Sequence, residues 1–195
     1  MLDYDLKYKG KLVAGIDEAG RGPLAGPVVC AAVILPLDKD KIIDGVNDSK
    51  KLTEKKREAL YKEIIEKAIS YSIVEIDEKT IDEINILNAT KLGMKKAVEN
   101  LKTKPDVVLI DAVKIECDIP QENIIKGDGL SYNIAAASIL AKVYRDNLMK
   151  KLSLEYPEYD FAKHKGYGTP EHILALKKFG KCKIHRDSFI KNFIA

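Results

Sequence analysis

Apolar positions along the chain follow two periods. Lys11–Asp17 and Val28–Leu35 are short runs of β-forming residues, and the second is apolar throughout, which predicts a buried strand. Tyr71–Ile76 and Val107–Asp111 predict two further strands, and Glu122–Lys126 a short fifth. Elsewhere the apolar residues recur at helical spacing. Leu60, Ile64, Ile65, Ala68 and Ile69 predict a helix that starts after Thr53 as N-cap, with Glu54 in its first turn. Asp77–Asn85 reads as one short helix and Ile86–Leu101 as a second, stopped by Pro105. Ser131–Leu154 is the longest helix, with Ile134, Ala137, Ala141, Tyr144, Leu148 and Leu152 on its inner face. Its Ala-rich first half suits close packing on a sheet. Tyr156–Thr169 reads as a polar, aromatic and Gly-containing loop, Pro170 opens a last helix to about Phe179, and Lys183–Phe193 is a basic tail anchored by Phe189 and Phe193. The order β-β-α-β-α-β-β-α-α predicts an α/β protein, a mixed sheet covered by helices.

Composition adds limits. The 195 residues predict a single domain, with about 156–195 as a C-terminal extension. The net charge of +3 is too small to indicate nucleic acid by itself. Three scattered cysteines without a CxxC suggest neither a disulfide framework nor a zinc site, and fit a reducing cytosol. The polar start and the lack of any apolar run near the ~20 residues of a membrane span predict a soluble cytoplasmic protein with no membrane partner.

The chemistry concentrates between the first two strands, in Gly15-Ile16-Asp17-Glu18-Ala19-Gly20-Arg21-Gly22-Pro23-Leu24-Ala25-Gly26-Pro27. Adjacent acids end the first strand, and a glycine-flanked arginine follows. Asp111 ends the fourth strand and Asp128 sits in a Gly-flanked turn after the fifth; open α/β sheets place their sites at such strand ends. Consecutive strand residues face opposite ways, so Asp17 and Glu18 converge only if the strand has ended and the loop re-aims Glu18. Four carboxylates without nearby Cys or His predict a hard cation, Mg²⁺ or Mn²⁺, and two such ions suit phosphodiester hydrolysis. Gly20-Arg21-Gly22-Pro23-Leu24-Ala25 fits the spacing of a dinucleotide fingerprint, but a β run follows where that motif needs a helix. Lys50 and Lys51, the Lys163–Thr169 stretch and the basic C-terminal residues could neutralise phosphates, and Tyr167 between two glycines could stack on a base or sugar. Lys55, Lys56, Arg57, Lys95, Lys96, Lys177 and Lys178 read as solvated surface, and Asp146 as a helix-surface ion pair with Lys142 or Lys150. His172 and His185 read as structural.

Taken together these blocks resemble ribonuclease HII, the bacterial type of the type 2 ribonucleases H. Asp17-Glu18-Ala19-Gly20-Arg21-Gly22-Pro23 is similar to the family signature. Further similar blocks are Asp48-Ser49-Lys50-Lys51-Leu52, Asn85–Thr90, Lys126-Gly127-Asp128, Ala135–Asp146, His164–Thr169 and His185–Phe189. The chain departs from the family at Asp111-Ala112, where Asp-Gly is common, and at Gly180–Lys183. Ribonuclease HIII, a relative, lacks the Arg between the glycines and carries an additional N-terminal domain; Arg21 and the ten residues before the first strand fit HII.

The resemblance implies a ribonuclease H-like fold, a five-stranded mixed sheet with flanking helices and a helical C-terminal part. It implies Asp17, Glu18, Asp111 and Asp128 as catalytic acids binding two Mg²⁺ or Mn²⁺ ions. Gly20, Arg21 and Gly22 would read a ribonucleotide's 2′-hydroxyl, largely through main-chain groups. Tyr167 would pack on the following sugar, and Ser49 and Lys50 would contact substrate. The expected activity is endonucleolytic cleavage of the RNA strand of RNA–DNA hybrids and incision 5′ of single ribonucleotides embedded in duplex DNA, by a monomer. A junction resolvase of the same superfamily and an inactive hybrid-binding module are the alternatives.

Overall fold

The computed structural model describes residues 1–111 and 113–194; Ala112, where the chain departs from the family's Asp-Gly, and Ala195 lie outside them. In chain order the elements are α1 Leu2–Asp5, β1 Val13–Ala19, β2 Val28–Ile34, α2 Glu54–Lys67, β3 Ser70–Ile76, α3 Glu78–Glu99, β4 Val107–Asp111 and β5 Gln121–Ile124. Then come α4 Gly127–Leu130, α5 Tyr132–Glu155, α6 Phe161–His164, α7 Pro170–Phe179 and α8 Asp187–Ile190. The strands form one sheet in the order β3-β2-β1-β4-β5. β1–β2 and β2–β3 are antiparallel, while β1–β4 and β4–β5 are parallel. This is a five-stranded mixed sheet, as the sequence predicts.

Side-chain alternation divides the core into two layers. Val29, Ala31 and Val33 of β2 pack with Ala136, Ala137, Ile139 and Leu140 of α5 on one face. Ala14, Ile16, Cys30 and Ala32 pack with Met94, Ala97 and Val98 of α3 on the other. α5 lies directly on β1: a Cβ at Gly15 would come within 2.0 Å of the Asn133 main chain. Because sheet and helices enclose it all round, α5 is buried almost continuously from Tyr132 to Ala141, wider than the single inner stripe its apolar spacing predicts.

The caps follow the sequence. Thr53 accepts the Lys56 N–H and Ser131 the Ile134 N–H, and Pro170 opens α7 with Thr169 as its cap. The break expected after Asn85 is present as a bend in α3: Asn85 has φ 65°, and its side chain accepts the Asn88 N–H to restart the helix. Two expectations are corrected. β1 continues to Ala19 rather than stopping at Asp17, because Glu18 and Ala19 still pair with Cys30 and Val29 of β2. Tyr156–Thr169 is not all loop: its aromatics Tyr159 and Phe161 stack at 5.3 Å and, with Ala25, Met149 and Ile184, form a small core of their own that carries α6.

Candidate active site

The parallel pairing of β1 with β4 ends at Ile16 and Ile110, and one residue further along each strand stand Asp17 and Asp111. Both belong to the α5 face of the sheet, by alternation from Gly15 and Leu109. Glu18 belongs to the opposite face. It nevertheless lines the same cleft of about 410 Å³ as the two aspartates. The strand has not ended there, contrary to the condition set by its sequence. Instead β1 outruns β4, so its free edge borders the cleft and presents residues from both faces. Asp128 lies in the first turn of α4, reached through Lys126 in the left-handed region at φ 58°. Asp111 Oδ1 accepts the Gly127 N–H at 3.1 Å, which ties the end of β4 to that turn.

The electrostatics are those of acids crowded out of water. Burial pushes the Asp17 carboxyl well above the usual carboxylate range, and the charges of Glu18, Asp111 and Asp128 push the same way, against the Glu18 N–H that it accepts at 2.8 Å. Burial also raises Glu18, while Arg21 at 3.5 Å lowers it. Lys50 Nζ sits 3.3 Å from Asp128 Oδ2. Among the described residues no three acid, histidine or cysteine side chains are drawn into a cage for an ion; Glu18 leans to Arg21 and Asp128 to Lys50. The donors are all carboxylate oxygens, and their mutual repulsion falls when a cation joins them. By donor chemistry the set fits a hard divalent ion.

The Gly20–Pro27 loop is held from beneath by two buried arginines. Arg145 of α5 donates Nε to Pro27 O at 2.9 Å, Nη1 to Lys165 O at 3.0 Å and Nη2 to Ala25 O at 3.1 Å. Arg186 donates to Gly20, Arg21 and Gly26 carbonyls. Burial lowers both guanidinium pKa values, to about 10 for Arg145 and about 9 for Arg186. Gly20 has φ +92°, and a Cβ there would fall 2.0 Å from Arg145 Nε, so this position requires glycine twice over. Tyr167 is 44% exposed at the cleft, with the Arg145 guanidinium 6.0 Å from its ring centroid.

Gly20, Arg21, Ser49, Lys50 and Tyr167 thus line the cleft with Asp17, Glu18 and Asp111. Gly22 borders it beside the Tyr167 ring, and Asp128 stands at its edge behind Lys50. Lys142 and Arg145 also line it, and sequence reasoning gave neither a part in the site. No local signal marked them, because their place at the cleft follows from how α5 lies on the sheet. Asp146 pairs with Lys142 at 2.8 Å, as the sequence allowed, but it is buried rather than on the surface; Lys150 pairs with Glu54 instead. Arg57 is no solvated cation: it donates to Ser49 O and Leu52 O and holds the turn that carries Lys50. His172 and His185 are buried, as a structural role requires, and their Nε2 atoms lie 3.0 Å apart.

The sheet order and acidic cleft define a ribonuclease H-like enzyme, and solved structures agree. The ribonuclease H2 from Pyrococcus horikoshii OT3 superposes with a TM-score of 0.79 at 28% identity, covering 93% of this chain and 96% of that one. The ribonuclease HII of the PCNA complex from Archaeoglobus fulgidus gives 0.75 at 27%, with the same coverages. Bst-RNase HIII in complex with Mn²⁺ shares the fold, with a TM-score of 0.69 at 18% identity over 92% of this chain and 64% of that one. The family model for ribonuclease HII matches residues 14–192. Curated ribonucleases HII from Acetivibrio thermocellus and Caldicellulosiruptor bescii are 62% and 59% identical, over 94% and 95% of this chain and 72% and 89% of theirs. The chain belongs to the ribonuclease HII family. It is accordingly a ribonuclease H, a nuclease acting on the RNA of RNA–DNA hybrids, in a family that generally uses divalent metals. No helix among the described residues is long and apolar enough to cross a membrane.

Proposed function

We propose that the cleft between the ends of β1 and β4 is the active site, and that it incises duplex DNA 5′ of a single embedded ribonucleotide as well as cutting longer hybrids. The observation that carries this reading is the adjacency of two features: three acids and a glycine–arginine–glycine loop share one cleft. Asp17, Glu18, Asp111 and Asp128 would hold two Mg²⁺ or Mn²⁺ ions, which supply Lewis acidity for a water nucleophile and for the leaving oxygen. The chain's own groups do the rest. Lys50 and Lys142 bring positive charge to the cleft where substrate phosphates must lie. Ser49, fixed by Ser138 and Arg57, gives Lys50 a rigid base. The loop at Gly20, Arg21 and Gly22 offers main-chain groups to the 2′-hydroxyl, the local mark of RNA within a duplex. The half-exposed Tyr167 ring packs on the next sugar and favours a junction with DNA. Water attacks the phosphorus, the P–O3′ bond breaks, and 3′-hydroxyl and 5′-phosphate ends result. The 2′-hydroxyl is held and takes no part as nucleophile. This activity suits removal of ribonucleotides from DNA by a cytoplasmic monomer, with residues 1–195 acting as one catalytic unit and about 156–195 as its helical extension.

Asp17→Asn tests the assignment. It keeps the shape and removes the charge that the other acids share. Cleavage with Mg²⁺ or Mn²⁺ is expected to fall at least about 10³-fold, the scale of losing a central electrostatic group, while a gel-shift with hybrid duplex persists. A variant that cuts within tenfold of the parent moves the active site elsewhere.

A further inference from the structure

Arg186 lies in the C-terminal segment, far in sequence from the loop it holds. It is fully buried. Its Nη2 donates to Gly20 O at 2.6 Å and to Gly26 O at 2.7 Å, its Nη1 to Arg21 O at 2.9 Å, and its Nε to Gly26 O at 2.9 Å. One planar fork therefore grips both ends of the loop. Arg186 is itself fixed: its main-chain N–H donates to Leu24 O at 2.9 Å, and Asp82 accepts the N–H groups of Asp187 and Ser188 just beyond it.

The grip has a geometric consequence. Every described peptide bond is trans. In a trans peptide the carbonyl of one residue and the N–H of the next point in opposite directions. Arg186 draws the carbonyls of Gly20 and Arg21 inward, so the N–H groups of Arg21 and Gly22 are turned outward. The outward side is the cleft, which Gly20 and Arg21 line and where the Cα of Gly22 faces the Tyr167 ring. Two adjacent donors aimed at one region suit a single oxygen acceptor.

We propose that Arg186 is the positioning residue for ribonucleotide recognition, holding the loop so that the Arg21 and Gly22 amides face a 2′-hydroxyl. This rests on the cleft being the ribonucleotide site. Lysine cannot replace the fork, because one ammonium on a flexible stem does not span carbonyls at both ends of a seven-residue loop with fixed geometry. The other loop staple, Arg145, packs against Gly20 but donates only to Ala25, Pro27 and Lys165, so the hydrogen bonds that orient the Gly20 and Arg21 carbonyls come from Arg186.

The test compares binding of two duplexes in chelator, identical but for one ribonucleotide, by the parent, Arg186→Lys and Arg186→Met. The parent is expected to prefer the ribonucleotide duplex. In Arg186→Lys that preference should shrink by about tenfold, the worth of one or two hydrogen bonds, while affinity for the all-deoxy duplex changes less than twofold. A general loss of structure would weaken both duplexes together. A folded Arg186→Lys that keeps the parent's preference overturns the proposal. A parent that binds both duplexes equally, with its Arg21 and Gly22 amides still open to solvent, overturns the ribonucleotide-site reading instead. Amide hydrogen exchange of the parent decides the geometry even if both variants fail to fold. The Arg21 and Gly22 amides should exchange rapidly in the free protein and become protected by the ribonucleotide duplex but not by the all-deoxy one. Protection of both amides in the free protein contradicts the outward orientation.

Discussion

Single residues in this protein are set by what their neighbours already donate or accept. The buried histidine pair illustrates it. The Cys182 N–H donates to His185 Nδ1 at 2.9 Å, so the proton of His185 sits on Nε2 and points at His172 Nε2, 3.0 Å away. His172 must then carry its proton on Nδ1, which donates to Tyr167 O at 2.9 Å. Both rings are neutral in this chain of bonds, and it ends on the residue proposed to pack on substrate. Burial, then the repulsion a protonated His172 would exert, lowers His185 from 6.5 to about 4, and burial lowers His172 as well. In unfolded chain these histidines protonate near pH 6.5. The unfolded state therefore binds more protons between about pH 4 and 6.5, and stability must fall as pH falls through that window, by roughly 3 kcal/mol for His185 over its full range. Urea unfolding at pH 7.5 and 4.5 checks this, with His185→Asn expected to show a flatter profile than the parent. An equal pH dependence in the two proteins contradicts the relay. From sequence, His172 and His185 were legible as structural because no metal spacing involves them. Their pairing was not, because contact between α7 and the segment before α8 is set by tertiary packing.

Elements were legible where local signals agreed. α7 begins at Pro170 and ends at Phe179, as its proline and apolar spacing predict, and the acid at the end of β4 is in place. The misplaced end of β1 has a physical reason: glycine and proline mark the end of a strand's own propensity, but β2 supplies pairing partners for two more residues. The same kind of information is missing for α5. Its sequence contains an N-cap, Ser131, but not the second cap brought from the start of the chain. Asp5, fully buried, accepts the N–H groups of Tyr132 and Asn133 and the Asn133 side-chain amide, while Tyr4 and Tyr8 both donate to Glu122 of β5. The N-terminal turn thus clamps the elements on either side of the segment that carries Asp128. Asp5→Ala should cost about 2 kcal/mol through orphaned donors at the α5 start, read as a lowered urea midpoint. A change below about 0.5 kcal/mol would mean that the clamp contributes nothing beyond solvent hydrogen bonds.

At the scale of the molecule, the site is assembled from parts that share no local sequence. β1 and β4 bring two acids side by side, the turn after β5 brings another, and α5 and the C-terminal segment supply the guanidiniums beneath the loop. The acids and the Gly20–Gly22 loop could be read from the chain because each sits at a strand end or between glycines. Arg145, Arg186 and Lys142 could not, since lone basic residues look alike until the fold buries some of them. This assembly is proposed to recognise and cut at a single ribonucleotide. The most direct test is a 5′-labelled DNA duplex with one ribonucleotide, incubated with protein in Mg²⁺, Mn²⁺ or chelator beside an all-DNA duplex. One product ending immediately 5′ of the ribonucleotide is expected, in metal only, with a 3′-hydroxyl that a polymerase can extend. Cleavage confined to long hybrids, with the single-ribonucleotide duplex left intact, would contradict it.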